Sequence, residues 1–448
     1  MGKYNVYDPS TILWNFDKPH HWDCQKAKRV FETLKELNKE HTENNVLSLT
    51  LNGVIRNNAS KPIGLSPKDY CTYQIFEKNN LVFKLIDLEN ISTSRVGLVP
   101  ERGIMSSAYI RFQLKSTQNI RYFYYQYLDW YKRNIFNGLG AGVRQTMSSS
   151  DLMNLEILIP PCEEQDQIVR YLDWQTSKIN QMIAAKKQQI QVLRERQQKL
   201  ICEVITKGLH SEVDYKDSHI AWIGDIPSHW SAIRCKYLFR ERDERSKEGT
   251  ETHLSMSQKY GLVPDSQLDE RRMLSESYAG GKLCYQDDLV LNRLKAHLGV
   301  FALAPQFGVI SPDYTVLIPN TEKIIPPFGE MVLKSALCRR ELRVRVRGII
   351  EGFWRLYTDD FYTIYLPVPP IEEQKEIMQY IDAQTKKASA VENALNREIE
   401  LLHELRTRLI SDVVTGQIDV RNIEVPDFEL VEETADEAEE PEDEMEVE

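Results

Sequence analysis

The chain contains the hexapeptide Pro160-Pro-Cys-Glu-Glu-Gln165 and repeats it, with one substitution, as Pro369-Pro-Ile-Glu-Glu-Gln374. Around this motif, residues 160–209 align with residues 369–418 without a gap, and 19 of the 50 positions are identical. Similarity at one constant offset is the mark of an internal repeat. A chain of 448 residues is also long enough for two or three domains. The sequence therefore predicts two homologous halves.

A second match lies upstream, where Pro19-x-His21-Trp22 corresponds to Pro227-x-His229-Trp230. Between the two matches the halves diverge, so each half consists of a variable block of about 150 residues and a nearly constant block of about 50. The predicted domains are a first globular domain (1–158), a first helical region (159–210), a second globular domain (211–367), a second helical region (368–421) and a disordered acidic tail (422–448).

The constant blocks are predicted to be long helices. Each opens with Pro-Pro followed by two glutamates, which suit a helix start, and apolar residues then recur at steps of three and four. The predicted helix–helix interface consists of Ile179, Ile183, Ile190, Leu193, Leu200, Val204, Leu395, Ile399, Leu402, Leu409 and Val413. Three polar residues (Gln197, Glu392 and Arg406) interrupt the two stripes and would fix their register. The alternative is an ordinary amphipathic helix that lies on its own domain.

The variable blocks show the alternation of apolar and polar residues that is typical of strands, with one amphipathic helix in each half, predicted at residues 120–134 and 327–345. The former is crowded with aromatic residues, whose spacing indicates core packing rather than a platform for base stacking. The predicted fold class is mixed α/β (α+β), with two globular domains related by a pseudo-twofold axis and joined by two long helices that have the apolar spacing of a coiled coil. A seam of about 30 residues gives a rod of roughly 45 Å. This length is close to the roughly 34–36 Å of one turn of duplex DNA.

Charge is distributed unevenly along the chain. The net charge is −11, but residues 422–448 hold 14 acidic and no basic residues, which leaves a body with 56 basic and 53 acidic residues. The tail either keeps the protein soluble or competes electrostatically with DNA. The sequence has neither an apolar run long enough to span a membrane nor a secretory signal, and its seven scattered cysteines suggest no disulfide framework. We therefore expect a cytoplasmic protein without membrane contact.

Motifs for chemistry on DNA are missing from the sequence. Pro326-Pro-Phe328 is preceded by Ile325, where an amino-methyltransferase needs an amide or a carboxylate. Gly280-Gly-Lys282 lacks the first glycine and the hydroxyl residue of a phosphate-binding loop, and His20-His21 has no partner at metal-ligand spacing. The sequence predicts no catalytic residue, no metal site and no cofactor of its own.

The duplicated Pro-Pro-x-Glu-Glu-Gln helix start, with its ends Thr206-Lys-Gly-Leu209 and Thr415-Gly-Gln-Ile418, resembles the specificity subunit of type I restriction–modification systems. The segments 142–152 and 286–296 resemble the target-recognition domains of that family, and the resemblance extends over about residues 15–420. Lys84-Leu85 stands where the second half has Asn292-Arg293, so the recognition contacts are placed less firmly at that point.

The resemblance implies a subunit without catalytic activity that binds double-stranded DNA, two methyltransferase subunits and restriction (translocase) subunits. S-adenosylmethionine, ATP and magnesium would belong to those partners. Each globular domain would read one half of an asymmetric, bipartite target, and the two long helices would pack antiparallel as a coiled-coil spacer between the domains. The candidate DNA-contacting residues are Lys84, Arg95, Arg102, Arg144, Gln145, Asn292, Arg293, Lys295, His297 and Arg355. The alternatives are a structural coiled-coil protein with two protein-binding ends, a decoy or orphan specificity subunit, and an enzyme with an unfamiliar site.

Overall fold

The computed structural model describes residues 2–432 except 52, 58–68, 87, 89–92, 141–145, 211, 258–259, 269–277 and 349–353. The chain divides into two compact units, Met1–Gln188 with Leu395–Glu448, and Gln189–Ala394. We call them unit 1 and unit 2. The division falls inside the two long helices rather than at their starts, so each unit consists of one globular block and a part of each helix. The boundaries predicted from the repeat mark sequence blocks and not these compact units.

The two long helices are Cys162–Lys207 (the first helix) and Ile371–Val414 (the second helix). The other elements of unit 1 are the strands Tyr7–Asp8, Lys18–Pro19, Asp23–Lys26, Phe31–Thr33, Leu47–Thr50, Gly53–Arg56, Gln74–Phe76, Leu81–Phe83, Val96–Leu98, Gly103–Met105, Ile110–Leu114 and Glu156–Ile159, and the helices Ala27–Val30, Tyr70–Thr72, Ile120–Lys132, Ile135–Leu139 and Ser149–Asn154. This is the mixed α/β fold class that the sequence predicts.

Unit 2 repeats this order of elements, with one additional single-turn helix, Ala296–Leu298, in the described ranges. Its strands are Tyr215–Asp217, Asp225–Pro227, Ser231–Arg234, Phe239–Arg242, Leu254–Ser257, Gly261–Pro264, Lys282–Cys284, Leu289–Asn292, Phe301–Leu303, Gly308–Ile310, Tyr314–Pro319 and Tyr365–Val368, and its shorter helices are Cys235–Leu238, Asp265–Gln267, Ala296–Leu298, Pro326–Lys334, Ala336–Arg343 and Thr358–Phe361. The single helix expected near residues 327–345 is interrupted at Ser335, which has an extended backbone. The Ser335 side chain accepts from the backbone N–H of Cys338 and so caps the helix Ala336–Arg343.

A four-stranded antiparallel sheet forms the centre of each globular block. In unit 1 its order is Phe31–Thr33, Ile110–Leu114, Leu81–Phe83 and Val96–Leu98. In unit 2 the equivalent strands follow the same order, Phe239–Arg242, Tyr314–Pro319, Leu289–Asn292 and Phe301–Leu303. The aromatic helix Ile120–Lys132 packs its buried rings into the core of unit 1. It is a core helix and not an exposed platform for bases.

The repeated hexapeptide fixes each block to a long helix. Glu164 is buried and accepts hydrogen bonds from Tyr4 Oη (2.5 Å), His21 Nε2 (2.7 Å) and Trp22 Nε1 (3.0 Å). In unit 2, Glu373 pairs in the same way with His229 and Trp230, at 2.8 and 3.0 Å. A buried carboxylate needs such partners. The repeated histidine–tryptophan pair is therefore a structural anchor.

The glutamine of the hexapeptide also binds the backbone at the start of a shorter helix, Ile120–Lys132 in unit 1 and Pro326–Lys334 in unit 2. Gln165 Oε1 accepts from the backbone of Asn119, and its amide donates to the carbonyl of Pro160. Gln374 makes the same two bonds, to the backbone N–H of Ile325 and the carbonyl of Pro369. Backbone groups at helix termini need such partners because the helix itself does not satisfy them. The invariant Glu-Gln pair thus explains why the motif recurs.

Within each unit the two long helices pair in antiparallel fashion. In unit 1, Asn180 accepts from Arg406 at 2.8 Å and Lys186 pairs with Glu398. In unit 2, Arg194 pairs with Glu392 at 2.6 Å and Gln197 donates to Thr385 at 3.0 Å. All three polar interruptions of the predicted seam therefore have a partner on the facing helix. Every predicted apolar interface residue is buried or half-buried.

The C-terminal segment corrects the prediction of a disordered tail. Residues 422–432 are ordered along the first helix, with Val425 buried and Phe428 against the core of unit 1. Backbone carbonyls of this segment accept from Gln167 and Asn180. Acidic composition alone predicts disorder, but apolar residues stand between the acids and pack against unit 1. Residues 433–448 lie outside the described part of the chain.

Gly416, which follows the second helix, adopts a left-handed backbone (φ +75°), and an added Cβ would meet Pro19 at 2.4 Å. We expect Gly416→Ala to destabilise unit 1 by about 2–4 kcal/mol, because left-handed strain and overpacking add. Chemical denaturation measures this change. Gly138→Ala is the control, since Gly138 lies in a short helix with open space around it. A Gly416→Ala protein as stable as this control would contradict the assigned close contact.

Candidate nucleic-acid interface

The turn after strand Leu289–Asn292 brings together most of the candidates of unit 2. Asn292 Oδ1 accepts from the backbone N–H groups of Leu294 (3.1 Å) and Lys295 (3.3 Å), which leads the chain into the single-turn helix Ala296–Leu298. Such side chain–backbone bonds are typical of asparagine in turns. Asn292 therefore holds the turn, and part of its acceptor capacity is already used.

Arg293 connects this turn to a second segment of the chain. Its Nε donates to Thr315 Oγ1 at 2.8 Å, and its carbonyl accepts from the backbone of Leu356. The exposed Arg355 lies next to Leu356 and pairs with Arg347 through two backbone bonds of 2.8 and 2.9 Å. The predicted residues Asn292, Arg293, Lys295, His297 and Arg355 are thus carried by two neighbouring segments of one surface.

His297 is half-buried at this surface, and its ring lies 5.5 Å from that of Trp354, edge to face. Burial, and then the positive charge of Arg343, lower the pKa of the imidazole below its ordinary value. His297 is therefore neutral at neutral pH and offers one donor and one acceptor rather than a charge. Among the described residues its Nδ1 has no hydrogen-bond partner.

A run of arginines, none of them among the predicted contacts, borders the same surface. Residues 339–347 read Arg-Arg-Glu-Leu-Arg-Val-Arg-Val-Arg, five arginines and one glutamate. Glu341 neutralises Arg345, and Asp360 neutralises Arg347. Arg340 and Arg343 are exposed and form no ion pair within the described part of the chain. Such a cluster is a typical electrostatic footprint of nucleic-acid binding. We call residues 339–347 the arginine cluster.

The described candidate residues of unit 1 are buried or already paired with other side chains. Arg95 is 2% exposed, so its selection as a surface contact is wrong: its side chain lies inside the block. Lys84 is half-buried and donates to Thr93 Oγ1 at 2.9 Å. Arg102 is exposed, but Glu43 and Glu77 pair with it at 3.3 and 2.8 Å. The two glutamates reduce the positive charge that Arg102 can offer to a phosphate.

Arg144 and Gln145 lie outside the described residues. The chain directly after them is anchored, because the backbone N–H of Met147 donates to the carbonyl of Leu85 at 2.9 Å. This bond is the counterpart of the one between Leu356 and Arg293 in unit 2. The framework that carries the candidate segments is therefore the same in both units, whereas the side chains on it differ.

Comparison with known proteins assigns the duplicated fold. The family model described as "Type I restriction modification DNA specificity domain" matches residues 22–192 and 274–401, about two thirds of the chain. The chain belongs to this specificity-subunit family. Specificity subunits of type I systems are non-catalytic and recognise DNA targets, so the family agrees with the absence of catalytic motifs from the sequence. The fold class and the family resemblance predicted from the sequence are confirmed.

Two curated relatives of this specificity subunit agree with the family match. The type I restriction enzyme MjaVIII specificity subunit of Methanocaldococcus jannaschii is 22% identical over 386 residues, which cover 82% of this chain and 84% of that protein. The type I restriction enzyme EcoBI specificity subunit of Escherichia coli is 21% identical over 349 residues, 71% of this chain and 70% of that protein.

A solved chain from a study of complex assembly and conformational transition of the type I R-M system has a TM-score of 0.61 at 14% identity, and the match covers 90% of this specificity subunit and all of that chain. At this identity the likeness concerns the fold. Within the described residues, no helix of the specificity subunit has the length and apolar character to cross a membrane.

Proposed function

We propose that each unit of this specificity subunit reads one half of an asymmetric, bipartite DNA target. The long helices would set the distance between the halves and bind two methyltransferase subunits, which restriction subunits join. The observation that carries this proposal is the duplication of the framework with different surfaces. The bonds from histidine and tryptophan to Glu164 recur at Glu373, while the side chains of the candidate segments differ between the units. Two units with the same framework but different surface side chains suit a DNA target whose two halves differ in sequence.

The chemistry of the surface in unit 2 supports a division of labour between its residues. Arg340 and Arg343 have exposed, uncompensated charges that suit phosphate oxygens. Arg293 and the neutral His297 present directional donors and acceptors of the kind that reads base edges in the major groove. Phosphate contacts would position the unit, and the turn that begins at Asn292 would provide the specificity.

The helices suit the role of a ruler because polar pairs fix their register. The pair Asn180–Arg406 in unit 1 and the pair Arg194–Glu392 in unit 2 would each be broken by a shift of one helix along the other. Polar residues within an apolar seam are a known device for specifying register. A fixed register of the helices would keep the two units at one distance. The two halves of the DNA target would then be separated by a constant number of unspecified base pairs.

Coexpression with the cognate methyltransferase subunit, followed by methylome sequencing, tests the proposal. We expect one split motif with a constant number of unspecified base pairs. A complex that forms and methylates an unsplit motif, or none, would refute the two-reader proposal.

The ruler is tested by inserting seven residues after Lys187 and seven after Arg397, so that both helices lengthen where they face each other. Seven residues add about 10 Å of helix, or about three base pairs of spacer. The methylome reports the new gap directly. Replacing seven residues without changing the length is the control, and an unchanged gap after the insertion would exclude the ruler.

A further inference from the structure

After the second helix the chain returns along the first helix as an extended strap, residues 422–432. Gln167 donates to the carbonyls of Val420 and Ile423, at 3.0 and 2.7 Å, where the strap begins. Arg170 donates to the carbonyl of Val425 at 3.0 Å. The strap therefore runs parallel to the first helix from its start.

The strap reaches the point where the two helices meet in unit 1. Asn180 donates to the carbonyl of Val431 at 2.8 Å, and the backbone N–H of Val431 donates to Ser177 Oγ at 3.0 Å. The same Asn180 accepts from Arg406 of the second helix. The strap thus extends over about four turns of the first helix, from residue 167 to residue 180.

The inner side of the strap is apolar and the outer side is acidic. Val425 is buried and Phe428 is half-buried against unit 1, whereas Glu424, Asp427 and Glu429 are exposed. The hydrogen bonds that hold the strap end on its backbone, and Asp427 adds an exposed ion pair with Arg170 at 3.9 Å. Such a segment covers a helix face stably but can be displaced by a partner that replaces its bonds.

Among the described residues, no counterpart of the strap covers the equivalent face of the second helix in unit 2. Ser177 is 2% exposed under the strap, while its counterpart Lys386 has a side chain 76% exposed. Tyr171 is 1% exposed, and its counterpart Tyr380 is 36% exposed. The same face is therefore covered by the strap on the first helix and exposed on the second helix. We call these the covered face and the open face.

Chain connectivity explains the difference. In unit 2, the first helix is followed directly by strand Tyr215–Asp217, and Tyr215 Oη donates to the carbonyl of Lys207. In unit 1, the N-terminal strand Tyr7–Asp8 takes the equivalent place, and Tyr7 Oη donates to the carbonyl of Gly416. The residues after Gly416 do not have to form that strand, so they are free to follow the first helix.

We propose that the strap makes the two docking sites for the methyltransferase subunit inequivalent: the open face of the second helix binds the first copy, and the covered face of the first helix binds the second copy only when the strap gives way. The inference rests on the proposed function, in which one kind of partner binds both halves. The two helical blocks share 19 of 50 aligned positions, Tyr171 and Tyr380 among them, so one kind of partner can dock on both faces. Displacing the strap costs the bonds made by Arg170, Ser177 and Asn180. The second copy therefore binds more weakly.

The test measures the two dissociation constants of the purified methyltransferase subunit for three forms of this chain by native mass spectrometry and calorimetry. For the full chain we expect constants that differ about tenfold or more. A chain that stops after Arg421 lacks the strap but keeps the buried Val420, and its two constants should become equal through tighter binding at the weaker site. A chain that stops after Glu432 keeps the strap and should behave like the full chain.

A substitution tests the same idea without truncation. Ser177→Lys gives the first helix the residue of the second at position 386. It removes the bond from the backbone N–H of Val431 and places a longer side chain under the strap, while Asn180 keeps its bond to Arg406. This variant should also equalise the constants. Equal constants in the full chain, or an unchanged ratio after loss of the strap, would overturn the inference and leave the proposed function intact. Absence of any methyltransferase binding would overturn both.

Discussion

Replacing Arg340 and Arg343 together by alanine should weaken the binding of the methyltransferase-loaded chain to its target DNA by about tenfold or more at 150 mM salt. Both side chains are exposed and form no ion pair within the described residues, so their full charge is available to phosphates. Each phosphate contact contributes about 0.9 to the slope of log K against log salt. The variant should therefore lose up to about 2 units of that slope. Fluorescence anisotropy at several salt concentrations measures both quantities.

Arg397→Ala is the matched control for this prediction. Arg397 is also exposed, but it lies on the second helix and pairs with Glu400 at 2.8 Å. We expect its removal to leave the slope unchanged. A double variant that keeps the affinity and the salt slope of the wild type would show that the arginine cluster does not face DNA.

The second large effect concerns the anchor of unit 1. Glu164→Ala should destabilise unit 1 by about 2–4 kcal/mol, because it leaves the hydroxyl of Tyr4 and the indole N–H of Trp22 without their acceptor in a buried place. Burial and the neighbouring carboxylate raise the pKa of Tyr4, so its hydroxyl stays protonated and keeps donating. Hydrogen exchange of peptides that contain residues 4–26 measures the loss.

The repeat supplies the comparison for this anchor. Glu373 has two side-chain donors where Glu164 has three, so Glu373→Ala should cost unit 2 less, about 1–3 kcal/mol. Glu163→Ala is the control, since Glu163 is exposed in the first turn, and its removal should change stability by less than about 1 kcal/mol. Equal protection in Glu164→Ala and Glu163→Ala would refute the structural role of the anchor.

The framework could be predicted from the sequence because its motifs occur twice in the chain. The hexapeptide, the histidine–tryptophan pair and the apolar seam recur at nearly constant offsets, and each is used in the same way in both units. One further signal was missed. Tyr7, Ser10, Ile12, Trp14 and Asp17 recur as Tyr215, Ser218, Ile220, Trp222 and Asp225, so the repeat begins near the N-terminus and includes the strand that pairs next to each anchor.

The contacting residues could not be predicted equally well because they lie where the repeat diverges. Arg95 was selected for its charge, but burial depends on the tertiary fold, and the structure places it inside unit 1. Arg340 and Arg343 were overlooked because the apolar residues between the arginines pointed to a core helix, although the density of arginines was visible. The strap was not predicted because composition averages over residues, and its five apolar side chains stand among acidic residues.

The most direct test of two separate readers exchanges the block Leu47–Leu158 for the corresponding block of another family member and determines the methylome of the resulting complex. The account predicts that one half of the motif changes, while the other half and the gap between them remain the same. A change in both halves, or a change in the gap, would contradict it.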